Sequence, residues 1–244
     1  MDKIKQLKEI INGSKNLVFF GGAGVSTESR IPDFRSENGL FTTKFGEALP
    51  PERILSYSFF MQNPEEFYRF YRSKMLHPSA LPNIAHTALA KLETSLKLTA
   101  VITQNIDGLH QNAGSKNVYE LHGSVQHNHC IQCDEYYALD YILQSKSIIP
   151  NCKICNGIIK PDVVLYEERL NDEVVINAVK AINTADTLIV GGTSLVVYPA
   201  AGFLTHFIGS KLVLINRGAT DYDKHADLVI NDSIGAVFSQ VVLL

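Results

Sequence analysis

The sequence lacks any excess of basic residues. Its 244 residues include 22 Lys and Arg against 25 Asp and Glu, which gives a formal net charge of −3. A nucleic-acid-binding face or a segment that binds anionic membranes needs clustered positive charge, so we expect neither partner. All apolar runs are far shorter than the roughly 20 residues of a membrane span, so we expect no integral membrane protein.

Tryptophan, low-complexity segments and internal repeats are also absent. With 45% hydrophobic and 19% charged residues, the composition is that of an ordinary globular protein. Its length suffices for one large domain, or for a main domain that carries a smaller one. Residues 1–11 have leucine and isoleucine at helical spacing between charged residues, which predicts an amphipathic helix rather than a signal peptide. We therefore expect a cytoplasmic protein, with a monomer as the default state.

Five short apolar runs each end in small or hydrogen-bonding residues. The runs are 17–20, 98–102, 118–121, 187–190 and 211–215. Continuous apolar runs of this length are typical of strands that are buried on both faces of a parallel sheet. Ligands bind just beyond the carboxyl ends of such strands. The pattern predicts a doubly wound, Rossmann-type α/β fold whose strand ends share one site.

Two segments interrupt this alternation of strands and helices. Residues 31–81 are rich in aromatic side chains and contain a helix start at Asn63-Pro64, which predicts a helical insertion. Residues 125–157 form a second insertion that contains all the cysteines. We therefore predict that 1–30, 82–124 and 158–244 build the Rossmann-type domain, and that the two insertions form a smaller domain beside it.

The sequence has only four cysteines, and their spacing is that of a zinc ribbon. Cys130, Cys133, Cys152 and Cys155 form two Cys-x-x-Cys pairs. Four thiolates leave no coordination position for water, so the pattern predicts one structural zinc ion. Two disulfides are the alternative, but they require an oxidising compartment that nothing else in the sequence indicates.

The glycine-rich loop at residues 21–26 follows a strand, and residues 24–29 are predicted to open a helix, which is the context of a loop that approaches a pyrophosphate. It lacks the third glycine of a dehydrogenase fingerprint. The position about 20 residues later, where that fingerprint has an acidic residue at the end of a strand, falls inside the aromatic insertion, with no strand to carry the carboxylate. The loop also lacks the Gly-Lys-Ser/Thr sequence of a P-loop. Contacts to a ribose would therefore come from later strand ends, where Ser194 and Asn216 are suitable.

His122 ends an apolar run and is followed by Gly123, which leaves room beside its imidazole. Histidine is the natural proton acceptor near neutral pH. The octet 103–110 brings Gln104, Asn105 and Asp107 to a neighbouring strand end. We therefore predict that His122 is a general base in a site shared with these side chains.

Together these motifs resemble the sirtuins, the NAD-dependent protein-lysine deacylases, of bacterial type. The resemblance covers essentially the whole chain in the family's order. It rests on Gly-Ala-Gly-Val-Ser at 22–26, Ile-Pro-Asp-Phe-Arg at 31–35, Thr-Gln-Asn-Ile-Asp-Gly-Leu-His at 103–110, His-Gly at 122–123, the four cysteines, and Gly-Thr-Ser-Leu-Val-Val-Tyr-Pro at 192–199. Sirtuins carry a helical module and a zinc module as insertions, which agrees with both interruptions.

The resemblance implies roles for individual residues. The residues that match the family's NAD-binding positions are Gly22, Ala23, Gly24, Thr27, Phe34, Arg35, Gln104, Asn105, Ile106, Asp107, Gly192, Thr193, Ser194, Asn216 and Arg217. Those that match its acyl-lysine-binding positions are Phe34, His122, Val164, Tyr166, Val196 and Val197. His122 would be the catalytic base, supported by Asn105 and Asp107.

The reaction implied by the resemblance consumes NAD. The acyl-lysine carbonyl oxygen attacks the ribose carbon that bears nicotinamide, nicotinamide leaves, and the acyl group moves to ADP-ribose. His122 would accept a proton through the ribose hydroxyls. The acylated peptide would insert as a short strand between residues 163–167 and 195–198.

Two other functions remain open from the sequence. One is mono-ADP-ribosyl transfer, in which a protein side chain captures the ribose. The other is a non-catalytic module that binds NAD or a peptide. The intact set of Asn105, Asp107 and His122 favours deacylation over both.

Three residues stand where the family usually has glycine. Arg30 and Ser36 flank the cofactor-binding loop, and Glu167 follows the predicted acyl-lysine tunnel. We expect these replacements to affect the conformation of the cofactor loop and the docking of the peptide backbone.

The helix in residues 64–72 bears on the acyl preference. Family members that prefer succinyl or malonyl groups carry Tyr-x-x-Arg there. In this chain Tyr68 is followed at that spacing by Tyr71, and Arg72 lies about 100° further around the helix. We therefore expect acetyl or other neutral acyl groups.

Overall fold

A computed structural model of the chain describes residues 2–34, 39, 49–196 and 200–242. The strands in these residues are β1 (Leu17–Gly21), β2 (Leu98–Thr103), β3 (Val118–Glu120), β4 (His127–Cys130), β5 (Tyr136–Ala138), β6 (Ile159–Pro161), β7 (Thr187–Gly191), β8 (Lys211–Ile215) and β9 (Leu228–Ile230). The α-helices are α1 (Lys3–Gly13), α2 (Pro51–Ile54), α3 (Tyr57–Gln62), α4 (Pro64–Phe70), α5 (Ile84–Thr94), α6 (Leu109–Asn112), α7 (Leu139–Gln144), α8 (Asp172–Thr184) and α9 (Ile234–Val241). Across these ranges no helix has the length and apolar character that crossing a membrane requires.

Six strands form one parallel sheet in the order β3-β2-β1-β7-β8-β9. The predicted doubly wound sheet is therefore confirmed. The five predicted strands are all present, and β9 is an additional three-residue strand that the sequence analysis did not identify. Chain order reverses between β1 and β7, where Gly21 lies opposite Gly191. A crevice at such a switch point is the usual ligand site of an open α/β sheet.

Both faces of this sheet are covered, which explains the continuous apolar runs. Successive side chains of a strand point to opposite faces. In β1, Phe19 packs in a cluster with residues of α1, α5 and α9, whereas Phe20 packs in a second cluster with residues of α8. All five residues of β1 and of β7 are buried. A polar residue on either face would have no water to contact.

The two insertions pack against each other around a third apolar cluster. Phe60, Phe67 and Tyr68 of the helical insertion contribute to it together with Tyr137 and Ile142 of the cysteine-containing insertion. Tyr68 also donates a hydrogen bond to the backbone carbonyl of Ile159. The insertions thus form one body beside the large sheet.

A small antiparallel sheet in the order β5-β4-β6 completes this body. Strand β6 lies just past residue 157, the predicted end of the second insertion. It belongs to this sheet because it pairs with β4 through Asn128 opposite Pro161. The exact module boundaries stay predictions.

His86 and His110 are both fully buried, with ring centroids 4.8 Å apart. Burial lowers the pKa of His86 to about 4, opposed by the charges of Asp107 and Glu28. Burial and the neighbouring His86 lower the pKa of His110 to about 3. Both rings are therefore neutral in the folded protein, while the unfolded chain binds protons below a pH of about 6.5. Stability is thus lost as the pH falls from 6.5 towards 3.

We predict that His110→Phe makes the protein less sensitive to acid. Neither ring nitrogen of His110 has a hydrogen-bond partner among the described residues, so the substitution removes a titrating group without breaking a hydrogen bond to them. The loss of unfolding free energy between pH 7 and pH 5 should be smaller by roughly 2 kcal/mol. Urea unfolding at the two pH values measures this loss. The same substitution at the exposed His206 should leave it unchanged, and an equal effect at both positions would contradict the prediction.

Candidate active site

A cavity of about 620 Å³ lies over the switch point of the large sheet. This volume is within the usual range for small-molecule sites. Most of the residues predicted from the sequence line it: Gly22, Ala23, Gly24, Thr27, Phe34, Gln104, Asn105, Ile106, His122, Val164, Tyr166, Gly192, Thr193, Ser194, Asn216 and Arg217. The strand ends therefore do converge on one space.

Two of the described residues that were predicted to bind NAD or acyl-lysine are not part of this lining. Asp107 lines a second, smaller cavity, and Val196 is a half-exposed residue outside both cavities. Arg35 and Val197 lie outside the residues that the structure describes. The second cavity, of about 250 Å³, shares Ala23, Phe34, Asn105 and Ile106 with the first and extends between the two insertions.

Glycines allow the loops after β1 and β7 to approach each other closely. The Gly24 N–H donates to the Gly192 carbonyl at 2.8 Å. A Cβ on Gly24 would lie only 2.7 Å from the Cα of Gly192, and Gly192 itself has a φ of +63°. The loop continues in two 3₁₀ turns, Ala23–Val25 and Thr27–Ser29, where the sequence predicted the start of an α-helix.

Ser26 connects this loop to the polar octet after β2. Its hydroxyl donates to Oδ2 of Asp107 at 2.7 Å and accepts from Nδ2 of Asn105 at 3.0 Å. The other oxygen of Asp107 accepts the N–H of Leu109 at 2.9 Å. Asn105 and Asp107, two of the three residues predicted to be catalytic, are thereby oriented. Ser26 is not among the site residues predicted from the sequence, although it ends the glycine-rich run.

The start of α5 supports the same loop from behind. Asn83 caps the helix by accepting the Ala85 N–H, and its Nδ2 donates to the Val25 carbonyl at 2.8 Å and to the Ser29 hydroxyl at 3.0 Å. His86 completes the cap by accepting the Asn83 N–H. The conformation of the loop therefore depends on a helix terminus that does not line the cavity.

The hydrogen bond of His122 determines which nitrogen can accept a proton. Nδ1 lies 3.0 Å from the carbonyl of Gln104, and since a carbonyl only accepts, Nδ1 carries the hydrogen. Nε2 is then the basic nitrogen. Burial lowers the pKa of His122, and the bond to Gln104 opposes this shift only in part. The imidazole is therefore neutral at physiological pH and can act as a base.

Gly123 is required by the fold next to this histidine. It has a φ of +72°, and a Cβ there would lie 1.8 Å from the carbonyl oxygen of Asp162. This close approach brings residues 162–164 beside His122, where the Val164 N–H donates to the His122 carbonyl at 2.9 Å. The space that a side chain at position 123 would occupy is thus filled by the backbone of residues 162–163.

Asn216 presents an unused donor at the other end of the cavity. Its Oδ1 accepts the Thr193 N–H at 3.0 Å, while its buried Nδ2 has no partner among the described residues. A buried donor without a partner in a lined cavity is what a ligand oxygen would satisfy. Gln104 is also held there, because its Nε2 donates to the Thr193 hydroxyl at 3.0 Å.

Two of the residues found where the family usually has glycine adopt the backbone conformation that favours glycine. Arg30 has a φ of +65° and Glu167 a φ of +78°. Ser36 lies outside the described residues.

Arg72 is engaged by the second insertion. Its guanidinium donates to the backbone carbonyls of Ile142, Ser147 and Ile148 at 2.8 to 3.2 Å. Three of the five N–H groups of this guanidinium are used in these bonds, and Arg72 is not among the residues that line either cavity.

The four cysteines lie together and are free thiols. Their sulfur atoms are all within 4.8 Å of one another. A zinc tetrahedron with bonds of about 2.3 Å has sulfur–sulfur edges of roughly 3.8 Å, so the cluster fits one zinc ion. This arrangement agrees with the predicted metal site and not with two disulfides. Tyr137 donates its hydroxyl hydrogen to Cys152 Sγ at 3.3 Å and accepts the Lys153 N–H at 2.8 Å.

The sequence and the structure of the chain are both similar to those of one protein family. The model of the Sir2 family matches residues 22–199. An NAD-dependent protein deacetylase of Clostridium acetobutylicum is 60% identical over 242 residues, which cover 99% of each chain. A solved structure described as Sir2 with a p53 peptide and NAD⁺ has a TM-score of 0.87 at 40% identity, with 98% of this chain and 97% of that chain covered. A structure of Sir2 bound to an acetylated peptide has a TM-score of 0.86 at 38% identity and the same coverage.

We predict that Tyr137→Phe weakens metal binding. The substitution removes a hydrogen bond to one of the four sulfurs, and loss of such supporting contacts typically costs 10- to 100-fold in metal affinity. The purified protein should contain one zinc per chain, and the variant should lose it to a chelator at least roughly tenfold faster. Tyr136→Phe, at the exposed neighbouring tyrosine of β5, is the matched control. Equal rates of zinc loss in the two variants would contradict the prediction.

Proposed function

The chain belongs to the Sir2 family, and on this premise we propose that it is an NAD-dependent protein-lysine deacylase. The observation that carries the proposal is His122, which lines the large cavity at the switch point of the sheet and whose Nδ1 bond to Gln104 leaves Nε2 as the basic nitrogen. The similar Clostridium protein is named a deacetylase, and the similar structures are described with NAD⁺ or an acetylated peptide.

The residues of the cavity fit a dinucleotide. We propose that the glycine loop at residues 22–24 lies along its phosphates and that the unpartnered Nδ2 of Asn216 donates to its adenosine half, with Gly192, Thr193, Ser194 and Arg217. Thr27, Phe34 and Ile106 would line the nicotinamide half. Arg35 is included in this proposal from the sequence alone. When bound, NAD supplies a reactive ribose carbon and a nicotinamide leaving group, so that the acyl group moves from lysine to ADP-ribose.

We propose that Gln104, Asn105 and Asp107 orient the nicotinamide riboside portion. Ser26 fixes the last two side chains relative to each other, so they are preorganised before a ligand binds. His122 accepts a proton at Nε2 while Nδ1 remains bonded to the Gln104 carbonyl. The Gln104 carbonyl then stabilises the imidazolium that forms.

The acyl-lysine peptide would enter along residues 163–167 and pair there as an added strand. Val164, Tyr166 and Phe34 would line the passage for the lysine stem. Val196 is included among the peptide-binding residues, and Val197 is included from the sequence alone. The engagement of Arg72 by carbonyl groups supports acetyl and other neutral acyl groups as substrates. We further propose one structural zinc ion at the four cysteines, and a cytoplasmic location.

We predict that the protein removes acetyl groups from an acetyl-lysine peptide only when NAD is present. Peptide mass and free nicotinamide should change in equal amounts. His122→Ala should reduce kcat/KM at least roughly 100-fold, since general-base catalysis commonly contributes that much. Its thermal stability and zinc content should stay close to those of the wild type. NAD cleavage that leaves the peptide intact and labels protein would instead indicate ADP-ribosyl transfer.

The pH dependence tests the role of His122 independently. A base is active when it is neutral, and burial places the pKa of His122 below its ordinary value of 6.5. The acid limb of kcat/KM should therefore fall with a midpoint below 6.5, while the rate is constant around pH 7 to 8. An acid limb with a midpoint above 6.5 would contradict the assignment.

A further inference from the structure

The segment at residues 163–168, called the rim segment here, is held to the helical insertion by backbone pairing. The Tyr166 N–H donates to the Leu55 carbonyl at 3.0 Å, and the Tyr166 carbonyl accepts the Tyr57 N–H at 3.0 Å. Ser56 and Tyr166 form a parallel bridge at this point. The rim segment is therefore paired with another element on one edge before any peptide binds.

An ion pair holds the rim segment from the side of the small sheet. Lys160 Nζ lies 2.9 Å from Glu168 Oε2, and both side chains are largely buried. The same ammonium donates to the Val163 carbonyl at 3.2 Å, and Glu168 accepts the Leu165 N–H at 2.8 Å. These bonds fix the turn itself, and they leave its last exposed residue, Glu167, to be held separately.

Within the described part of the chain, the carboxylate of Glu167 is bonded by one residue, Ser58 of α3. One carboxylate oxygen accepts the Ser58 N–H at 2.8 Å and the other accepts the Ser58 hydroxyl at 2.9 Å. Glu167 has a φ of +78°, a region that a residue with a side chain rarely adopts. Two hydrogen bonds to an ionised carboxylate are of the stronger kind and offset this strain.

The backbone of Glu167 remains available to a ligand. Its N–H and C=O have no hydrogen-bond partner within residues 2–34, 39, 49–196 and 200–242, and the residue lines the large cavity. An extended peptide that adds to this edge needs such unpaired backbone groups in a fixed direction. The direction is fixed by φ at Glu167, and φ is maintained by the contact with Ser58.

We propose that Glu167 is a positioning residue for the acylated peptide. Its contact with Ser58, called the clamp here, would hold the rim segment in the conformation that pairs with the peptide strand. The inference rests on the proposed function, because it takes the acyl-lysine peptide as the substrate of this cavity. It assigns to the helical insertion a role in peptide binding through a residue that lies at the edge of the catalytic centre.

The test compares Glu167→Ala, Ser58→Ala and the double variant. Each single substitution should raise KM and Kd for an acetyl-lysine peptide roughly five- to tenfold, with KM for NAD changed less than about twofold. Ser58→Ala removes only the hydroxyl bond and keeps the backbone N–H, so its effect should lie at the lower end of this range. The double variant should bind the peptide no more weakly than Glu167→Ala, because that substitution already removes both bonds. Glu167→Gln keeps one acceptor oxygen and should recover part of the affinity. Glu9→Ala, at an exposed residue of α1, should bind the peptide like the wild type.

Glu167→Gly separates the clamp from the backbone conformation. Glycine adopts a positive φ without strain, so the conformation stays accessible while the carboxylate is lost. We expect peptide Kd to rise as in Glu167→Ala and amide exchange in residues 163–168 to become faster. Wild-type affinity in Glu167→Gly or Glu167→Ala, or additive effects of Glu167→Ala and Ser58→Ala, would overturn the inference.

Three readouts distinguish failure of this inference from failure of the proposed function. Peptide Kd from fluorescence anisotropy and hydrogen exchange of the rim segment do not need turnover, whereas nicotinamide release does. A wild-type protein that binds the peptide without consuming NAD would contradict the proposed function. The peptide Kd values of the variants would still test the contact between Glu167 and Ser58. A wild-type protein that binds no acyl-lysine peptide would overturn both.

Discussion

The close contact between the loops after β1 and β7 is the constraint on which the site depends. These strands are adjacent although they are distant in sequence, and the chain reverses its winding between them. Gly24 donates to the Gly192 carbonyl at a point where a Cβ on Gly24 would overlap the facing backbone. The contact holds the loop after β1 close to the loop after β7, and the cavity lies over this pair of loops. The remaining polar groups are positioned relative to this pair of loops.

Hydrogen bonds orient the side chains of the site relative to these two loops. Ser26 joins the glycine loop to Asn105 and Asp107 by hydrogen bonds, and the Gln104 carbonyl orients His122 by accepting the hydrogen of Nδ1. Each step joins a side chain to a neighbour that is itself fixed by the sheet. Preorganisation of this kind means that little reorganisation is needed when charge develops. Burial contributes as well, because it keeps His122 neutral and therefore basic.

The two insertions act as one body, and this body forms the outer wall of the cavity. Their shared aromatic core and the bonds from Arg72 to the carbonyls of residues 142–148 join them. The rim segment is attached to this body on two sides, by Lys160 of β6 and by Ser58 of α3. A zinc ion at the cysteines would thus stabilise a wall of the cavity from a distance, without taking part in the chemistry.

The sequence by itself determined the parallel sheet, the shared strand ends and the cysteine site, because each is encoded in a local pattern. Continuous apolar runs indicate strands buried on both faces, and paired Cys-x-x-Cys motifs indicate a metal. Local patterns were less informative for short elements, such as β9 and the 3₁₀ turns that replace the expected helix start. Only the tertiary structure decided the roles of Ser26, Asn83 and the Glu167–Ser58 contact. Those contacts join residues far apart in the chain, so they depend on how the elements pack rather than on any neighbouring residue.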